Sequence, residues 1–282
     1  MDELRQQGPS GEGEEKARVR EFWDRASCGE EALLPNTARE GYAAQARARY
    51  ELEPYIEGFA GFEEARGLRV LEVGVGLGAD HQRFVEAGAE LDGIDLTPRA
   101  IEHTERRLAA FGLSSRLAVG DAEALPFADE TFDLVYSWGV LHHTPDTPRA
   151  FAEVLRVLKP GGRARIMIYH TWSMVGLMLW TRYALMRLRP WMSMREIYDR
   201  YLESPGTKAY SPEEARGLMR GFEAVEIRTV LTHGDLLESK AGQRHQGALL
   251  EAARRIWPRW LIRRVAPGMG LFMLIEGKKP AR

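Results

Sequence analysis

The pattern best suited to chemistry in this chain is Val70-Leu71-Glu72-Val73-Gly74-Val75-Gly76-Leu77-Gly78-Ala79-Asp80, an apolar strand running into a glycine-rich turn. A second apolar strand follows and ends on Asp95. Glycines at 74, 76 and 78 permit a tight turn with positive φ, and the missing Cβ atoms leave room for a ligand against the main chain. A carboxylate at the end of the neighbouring strand can accept hydrogen bonds from both hydroxyls of a ribose. These residues therefore suit an adenosine-bearing cofactor. The spacing alone satisfies both Gly-x-Gly-x-Gly and the dinucleotide fingerprint Gly-x-Gly-x-x-Ala, so it leaves the cofactor open. Farther along, His142 and His143 close the stretch Ser137-Trp138-Gly139-Val140-Leu141. A histidine that titrates near neutrality suits proton removal from a hydroxyl or an acidic carbon.

Positioning these residues takes alternating strands and helices. Strands are predicted at 69–73, 90–95, 115–119, 132–137 and 163–170, with helices at 80–87, 98–111 and 147–158 between them. Alternation of this kind gives an α/β fold, a parallel sheet with helices on both faces. Thr97 before Pro98 is a fitting N-cap, and Pro160-Gly161-Gly162 stops the last of these helices. Two more strands are predicted at 225–232 and 270–277. Ahead of the sheet, 17–27 and 38–62 read as helices.

The 282 residues, 44% of them hydrophobic, can bury a full core, and one domain with appended helices uses that length better than two independent ones. A net charge of −2 leaves no global polycation for nonspecific nucleic-acid binding. Cys28 is the sole cysteine, which excludes an internal disulfide and any multi-cysteine metal site. Residues 1–16 are polar, without the apolar stretch of a secretory signal, and read as a disordered tail of a cytoplasmic protein.

Around the glycine loop stand Glu72 two residues before the first glycine, Gly120-Asp121-Ala122 with Leu125-Pro126-Phe127, Phe132-Asp133-Leu134-Val135-Tyr136-Ser137, and Leu158-Lys159-Pro160-Gly161-Gly162. In that order, over about residues 65–170, the chain resembles the class I S-adenosylmethionine-dependent methyltransferases, in particular the small-molecule branch with the ubiquinone/menaquinone methyltransferases. The resemblance implies a Rossmann-like seven-stranded, mostly parallel sheet with an antiparallel last strand and a helical cap. S-adenosylmethionine is the implied cofactor, S-adenosylhomocysteine the product, and no metal is required. Glu72 would order the glycine loop and approach the methionyl amino group. Asp95, with Leu96 beside it, would take the ribose. Asp121 would meet the adenine amino group and Ala122 would offer a backbone N–H. Ser137 and Trp138 end the strand where the methyl group would face its acceptor. Each also has a bland reading: surface carboxylate, turn glycine, capping aspartate, core aromatic. His142 is the implied counterpart of the catalytic histidine in the Ser-x-x-x-x-Leu-His stretch of the phosphoethanolamine methyltransferases, although only three residues separate Ser137 from Leu141 here and Gly139 stands where that pattern has an aspartate. In relatives the N-terminal helical region, here 17–64 with Tyr42, Tyr50 and Tyr55, closes over the cofactor as a lid.

The methyltransferase domain is then expected over 65–282, with cap insertions at about 171–222 and 233–269 that choose the substrate. Two cap segments, 172–191 and 254–264, mix apolar residues with arginines. The first is too short and too charged to span a bilayer and suits an interfacial helix, the cap of an apolar substrate pocket or a buried flank helix. The second suits an anionic membrane, contact with phosphates or the solvated face of an ordinary amphipathic helix. The expected activity is methyl transfer to an O, N or C atom of a small, lipid-like or secondary-metabolite acceptor. Competing readings are a nucleic-acid methyltransferase, which lacks its Asn/Asp-Pro-Pro-aromatic motif after the fourth strand, and a nicotinamide-dependent oxidoreductase, which lacks a Tyr-x-x-x-Lys pair. The acceptor and the oligomeric state are not legible in the chain.

Overall fold

The computed structural model describes residues 11–202, 204, 206–238 and 254–281. Seven strands form one sheet: β1 (Arg69–Val73), β2 (Glu90–Asp95), β3 (Arg116–Val119), β4 (Phe132–Trp138), β5 (Leu158–Tyr169), β6 (Glu223–Val230) and β7 (Phe272–Lys278). Their order is β3-β2-β1-β4-β5-β7-β6. The first five pair in parallel, and β7 slots between β5 and β6 antiparallel to both. This is the Rossmann-like arrangement with the antiparallel final strand.

Period-2 alternation along the strands divides the core in two. Val70, Leu134, Tyr136, Met167, Tyr169 and Leu274 face one side, with Phe59, Phe62 and Phe84. Leu71, Val73, Val135, Ile166, Ile168, Met273 and Ile275 face the other, against Phe151 and Val154. Among the described residues four α-helices precede the sheet: α1 (Gly11–Arg25), α2 (Glu30–Leu33), α3 (Arg39–Leu52) and α4 (Tyr55–Ala60). Then come α5 (Ala79–Ala87), α6 (Pro98–Phe111) and α7 (Thr147–Val157) between strands, α8 (Met174–Tyr183), α9 (Met194–Tyr201) and α10 (Pro212–Leu218) between β5 and β6, and α11 (Arg259–Val265) before β7. Thr97 caps α6, its hydroxyl accepting from Ala100 N, and Asp146 caps α7 by accepting from Arg149 N.

Several expectations need correction. The tail predicted over 1–16 is helical from Gly11 onward, because α1 lays Val19 into the core (4% exposed) and Lys16 onto two carboxylates; residues 1–10 lie outside the described residues. The single helix expected at 38–62 breaks after Leu52, where Pro54 cannot supply the N–H that continuation needs, and resumes as α4. Strand β5 begins at Leu158, so Pro160-Gly161-Gly162 lies within the strand rather than before it, where the pairing with β4 is irregular. Part of the second cap insertion, 239–253, falls outside the described residues.

The N-terminal helices are pinned to the sheet by polar groups. Arg107, fully buried on α6, donates to Tyr42 O (2.8 Å) and to Gln45 on α3, and its guanidinium lies over the Tyr42 ring. Burial pushes its pKa down to about 10. Asp80 at the start of α5 accepts from Arg49 Nη2 (2.7 Å) and Nε (3.2 Å), Tyr50 OH (3.0 Å) and Tyr136 OH (2.9 Å). Burial alone would raise the Asp80 carboxyl; the Arg49 charge and these donors outweigh it and hold it below the usual range.

A carboxyl with a lowered pKa contributes stability that is present above its unfolded value and is lost as pH falls through the folded one. Arg49→Met should remove about 3–5 kcal/mol at neutral pH by stranding a buried charge. Without that cation burial dominates, so the Asp80 pKa should rise and the deficit should narrow between pH 7 and 5. Urea unfolding at the two pH values reads both effects; a loss under about 1 kcal/mol, or one that does not change with pH, would contradict the assignment.

Candidate active site

The carboxyl ends of β1, β2 and β4 open on a cavity of about 1100 Å³. Ligand pockets usually occupy about 300–1,000 Å³, so this space is large enough for a cofactor and a second molecule. Its floor is Glu72 to Leu77 at and beyond the end of β1, Asp95 and Leu96 at the end of β2, Asp121 and Ala122 after β3, and Trp138 to Val140 at and beyond the end of β4. Lys16, Val19, Phe22 and Trp23 of α1 form one wall. The cap supplies another wall through Val175, Leu177, Met178, Met186, Leu237 and Trp257.

Within the loop the three glycines have different tasks. Gly74 (φ +86°) donates to Ile94 O, and a Cβ there would overlap the Val140 side chain. Gly78 (φ +73°) lies against Thr104, whose Oγ1 would be 2.8 Å from a Cβ. Gly76 (φ +52°) is the one that faces open space: nothing lies within 4 Å of the position its Cβ would take, and it lines the cavity. Its N–H donates to Asp95 Oδ2 (3.2 Å), while Asp95 Oδ1 accepts from Thr97 N (3.0 Å) and Thr97 Oγ1 (2.9 Å). Burial pushes the Asp95 carboxyl up, and these donors limit the rise. A bare glycine backbone beside a carboxylate aimed into the cavity is a cradle that fits a nucleoside sugar.

Glu72 is 3% exposed and contacts His81 Nδ1 through Oε2 (2.7 Å); His81 Nε2 in turn meets Ser115 Oγ (2.6 Å). Burial and the neighbouring charge of Asp80 push Glu72 well up, and burial takes His81 down to about 3. Asp121 Oδ1 accepts from Glu123 N (2.9 Å), and its Oδ2 is held by Lys16 Nζ (2.6 Å), which also reaches Glu123 Oε2 (2.5 Å).

Of the residues expected at the site from sequence, Glu72, Gly74, Gly76, Asp95, Leu96, Asp121, Ala122 and Trp138 are brought together around the cavity. Gly78, Ser137 and His142 are not among its lining. Ser137 Oγ donates to Val73 O (3.0 Å), tying β4 to β1 from below. His142 is fully buried, packed between His143 and Tyr169, and neither ring nitrogen has a partner among the described residues. Burial, then the neighbouring His143 and the charge of Lys208, drive its pKa far down. A base must reach the proton it removes, so His142 has no position for that role here. His143 takes the lining position instead, edge-on to Trp23, with Nδ1 against Ser204 Oγ (2.9 Å) and Thr207 Oγ1 (3.2 Å). Tyr42, Tyr50 and Tyr55 serve packing: Tyr42 meets His103, Tyr50 meets Asp80, and Tyr55 stacks on Trp138 at 6.0 Å.

Sequence reading missed Lys16, assigned to a tail, and His81, the partner of Glu72. The signal for His81 was present: two polar residues, Asp80 and His81, open a helix whose neighbouring strands are apolar.

The methyltransferase domain family matches residues 71–166. A demethylmenaquinone methyltransferase of Tropheryma whipplei is 32% identical over 163 residues, covering 56% of this chain and 67% of that protein. Phthiotriol/phenolphthiotriol dimycocerosates methyltransferase of Mycobacterium leprae is 42% identical over 98 residues, covering 34% of this chain and 36% of that protein. The chain spans only part of several curated relatives it resembles, between 31% and 42% of their length. Among solved structures, phosphoethanolamine N-methyltransferase 2 of Haemonchus contortus, in complex with phosphomonomethylethanolamine and S-adenosylhomocysteine, superposes with a TM-score of 0.60 at 20% identity over 93% of this chain and 60% of that one. That likeness concerns the fold.

The unequal roles of the glycines make a contrast to test. Gly74→Ala should lower folding stability by about 2–4 kcal/mol, from strained φ plus the Val140 overlap. Gly76→Ala should cost only the backbone strain yet weaken S-adenosylhomocysteine binding at least as strongly as Gly74→Ala does. Thermal unfolding and calorimetry on both variants check this; equal instability with unchanged affinity would defeat it.

Proposed function

The chain belongs to the class I S-adenosylmethionine-dependent methyltransferases, and from that membership we propose that it moves a methyl group to an O, N or C atom of a small, largely apolar acceptor. The observation that carries this reading is the two-part lining of the cavity: carboxylates and bare glycine backbone at the strand ends, then an apolar arm of α1 and cap residues. S-adenosylmethionine, when bound, supplies an activated methyl on a sulfonium and a neutral thioether leaving group.

On this reading Asp95 accepts from the ribose hydroxyls and Gly76 leaves room for the sugar. Asp121 and Ala122 receive the adenine edge, with Lys16 of the α1 wall fixing the Asp121 carboxylate. Glu72, oriented by His81, stands at the methionyl end beside Gly74. Trp138 is immobilised by Tyr55 and by Phe272, whose ring meets it edge-on at 5.7 Å, and it separates that end from the cap. The protein's part in the transfer is alignment of the reacting groups, with the apolar side chains of the arm keeping water from around them. Val175, Leu177, Met178 and Trp257 favour an acceptor with an apolar body, and methionines adapt to its shape. The quinone and lipid acceptors named for the relatives are of that kind, which supports the class without choosing a member. His142 has no part in the proposal.

Calorimetry with S-adenosylhomocysteine and NAD in parallel tests the reading. Saturable binding of S-adenosylhomocysteine alone is expected, weakened at least tenfold by Asp95→Ala, since hydrogen bonds to a charged group contribute about 1.5–3 kcal/mol. Binding of NAD in its place would overturn the assignment.

A further inference from the structure

The cap's outer surface has a composition unlike the rest of the molecule. Eleven large apolar side chains are exposed among the described residues, and all but Val119 fall in two segments: Trp172, Leu177, Leu185, Met186, Leu188 and Trp191 in the first, Ile256, Trp260, Leu261 and Val265 in the second. Leu188 is 82% exposed, Ile256 82%, Trp191 77% and Trp260 71%. Leu188 also has φ +54°, a conformation glycine adopts without strain, so an apolar side chain is held outward where a glycine would fit more easily.

The charge carried by these two segments is of one sign, although Glu238 pairs with Arg263 (2.6 Å) and Glu196 follows Arg195 at their borders. Residues 172–195 contain four arginines and residues 254–265 contain five, with no acidic residue in either. Arg187, Arg189, Arg195, Arg255, Arg263 and Arg264 are exposed. One buried aspartate joins the two segments. Asp235 Oδ1 accepts from Val175 N at the start of α8 (3.0 Å), and its main-chain oxygen accepts from Trp257 Nε1 (3.0 Å). Both segments also line the cavity, through Leu177, Met178, Arg182 and Met186 on one side and Arg254 and Trp257 on the other. The apolar and cationic surface therefore borders the arm assigned to the acceptor. No described helix is long and apolar enough to cross a membrane.

We propose that the two cap segments form a docking surface for an anionic lipid bilayer, on which the cavity arm takes its apolar acceptor from the membrane. Tryptophans and leucines enter the headgroup boundary and arginines pair with lipid phosphates, the arrangement by which interfacial segments hold to acidic membranes. Oil-facing residues beside a cavity let the acceptor pass without crossing water. The inference rests on the acceptor reading above for its purpose, but the surface itself does not depend on the cofactor site.

Sedimentation of the full chain with phosphatidylcholine vesicles, with and without phosphatidylglycerol, tests it. The protein should bind the anionic vesicles at low salt and release on adding salt. Leu188→Ser with Trp191→Ser should reduce partitioning at least tenfold, and Arg187→Glu with Arg189→Glu should abolish the preference for phosphatidylglycerol. These side chains are exposed, so melting temperature and S-adenosylhomocysteine affinity should hold in both variants. Protein that binds S-adenosylhomocysteine but ignores the vesicles overturns this inference alone. Vesicle binding without S-adenosylhomocysteine binding overturns the functional reading instead. A stable dimer that hides the surface and fails to bind vesicles assigns the patch to a second copy and overturns the proposal.

Discussion

Three carboxylates, Glu72, Asp80 and Asp95, share the buried ends of β1 and β2, and much of the architecture follows from keeping them there. Like charges in a dry site are costly unless each receives donors. The partners come from separate elements: His81 of α5 for Glu72, Arg49 and Tyr50 of α3 with Tyr136 of β4 as donors for Asp80, and the glycine loop with Thr97 as donors for Asp95. Helix α3 must therefore lie across the start of α5, which brings α1 and α2 over the cavity. The acidic floor and the helical roof are thus consequences of the same requirement.

What was legible in the sequence is what obeys short-range rules. Period-2 apolar runs and glycine or proline punctuation placed the strands β1, β2 and β4 within a residue or so, and the Thr97-Pro98 cap located α6. The floor of the site was legible for the same reason, since Glu72, the glycines and Asp95 sit at fixed distances from strand ends. The roles of Lys16 and His81 were not, because they depend on which distant carboxylate a side chain meets. His142 shows the same limit from the other side: adjacent histidines on a short turn point in different directions, and only the packing of Tyr169 and Trp23 decides that His143 lines the cavity while His142 is sealed behind it.

The cap follows a different logic from the sheet. Residues of the sheet are held by pairing with neighbouring strands, whereas the segments around α8 and α11 are held by side-chain bonds within the cap, among them Asp235 with its four acceptor contacts to Thr232, Val175 and Leu271, Tyr198 on Ser173 and Arg259 on Leu236 and Leu237. Such a surface can change its outer residues without disturbing the cofactor floor. Substrate choice and membrane contact can accordingly vary on a constant scaffold.

The claim at the centre is that the adenosyl donor lies on the glycine backbone with its sugar at Asp95. A crystal structure of the protein with S-adenosylhomocysteine measures this directly. The account predicts both ribose hydroxyls within hydrogen-bond distance of the Asp95 carboxylate, the base toward Asp121 and the amino acid end toward Glu72. Density for the nucleoside in the capped arm, or with the base at Glu72 and the sugar away from Asp95, would contradict it.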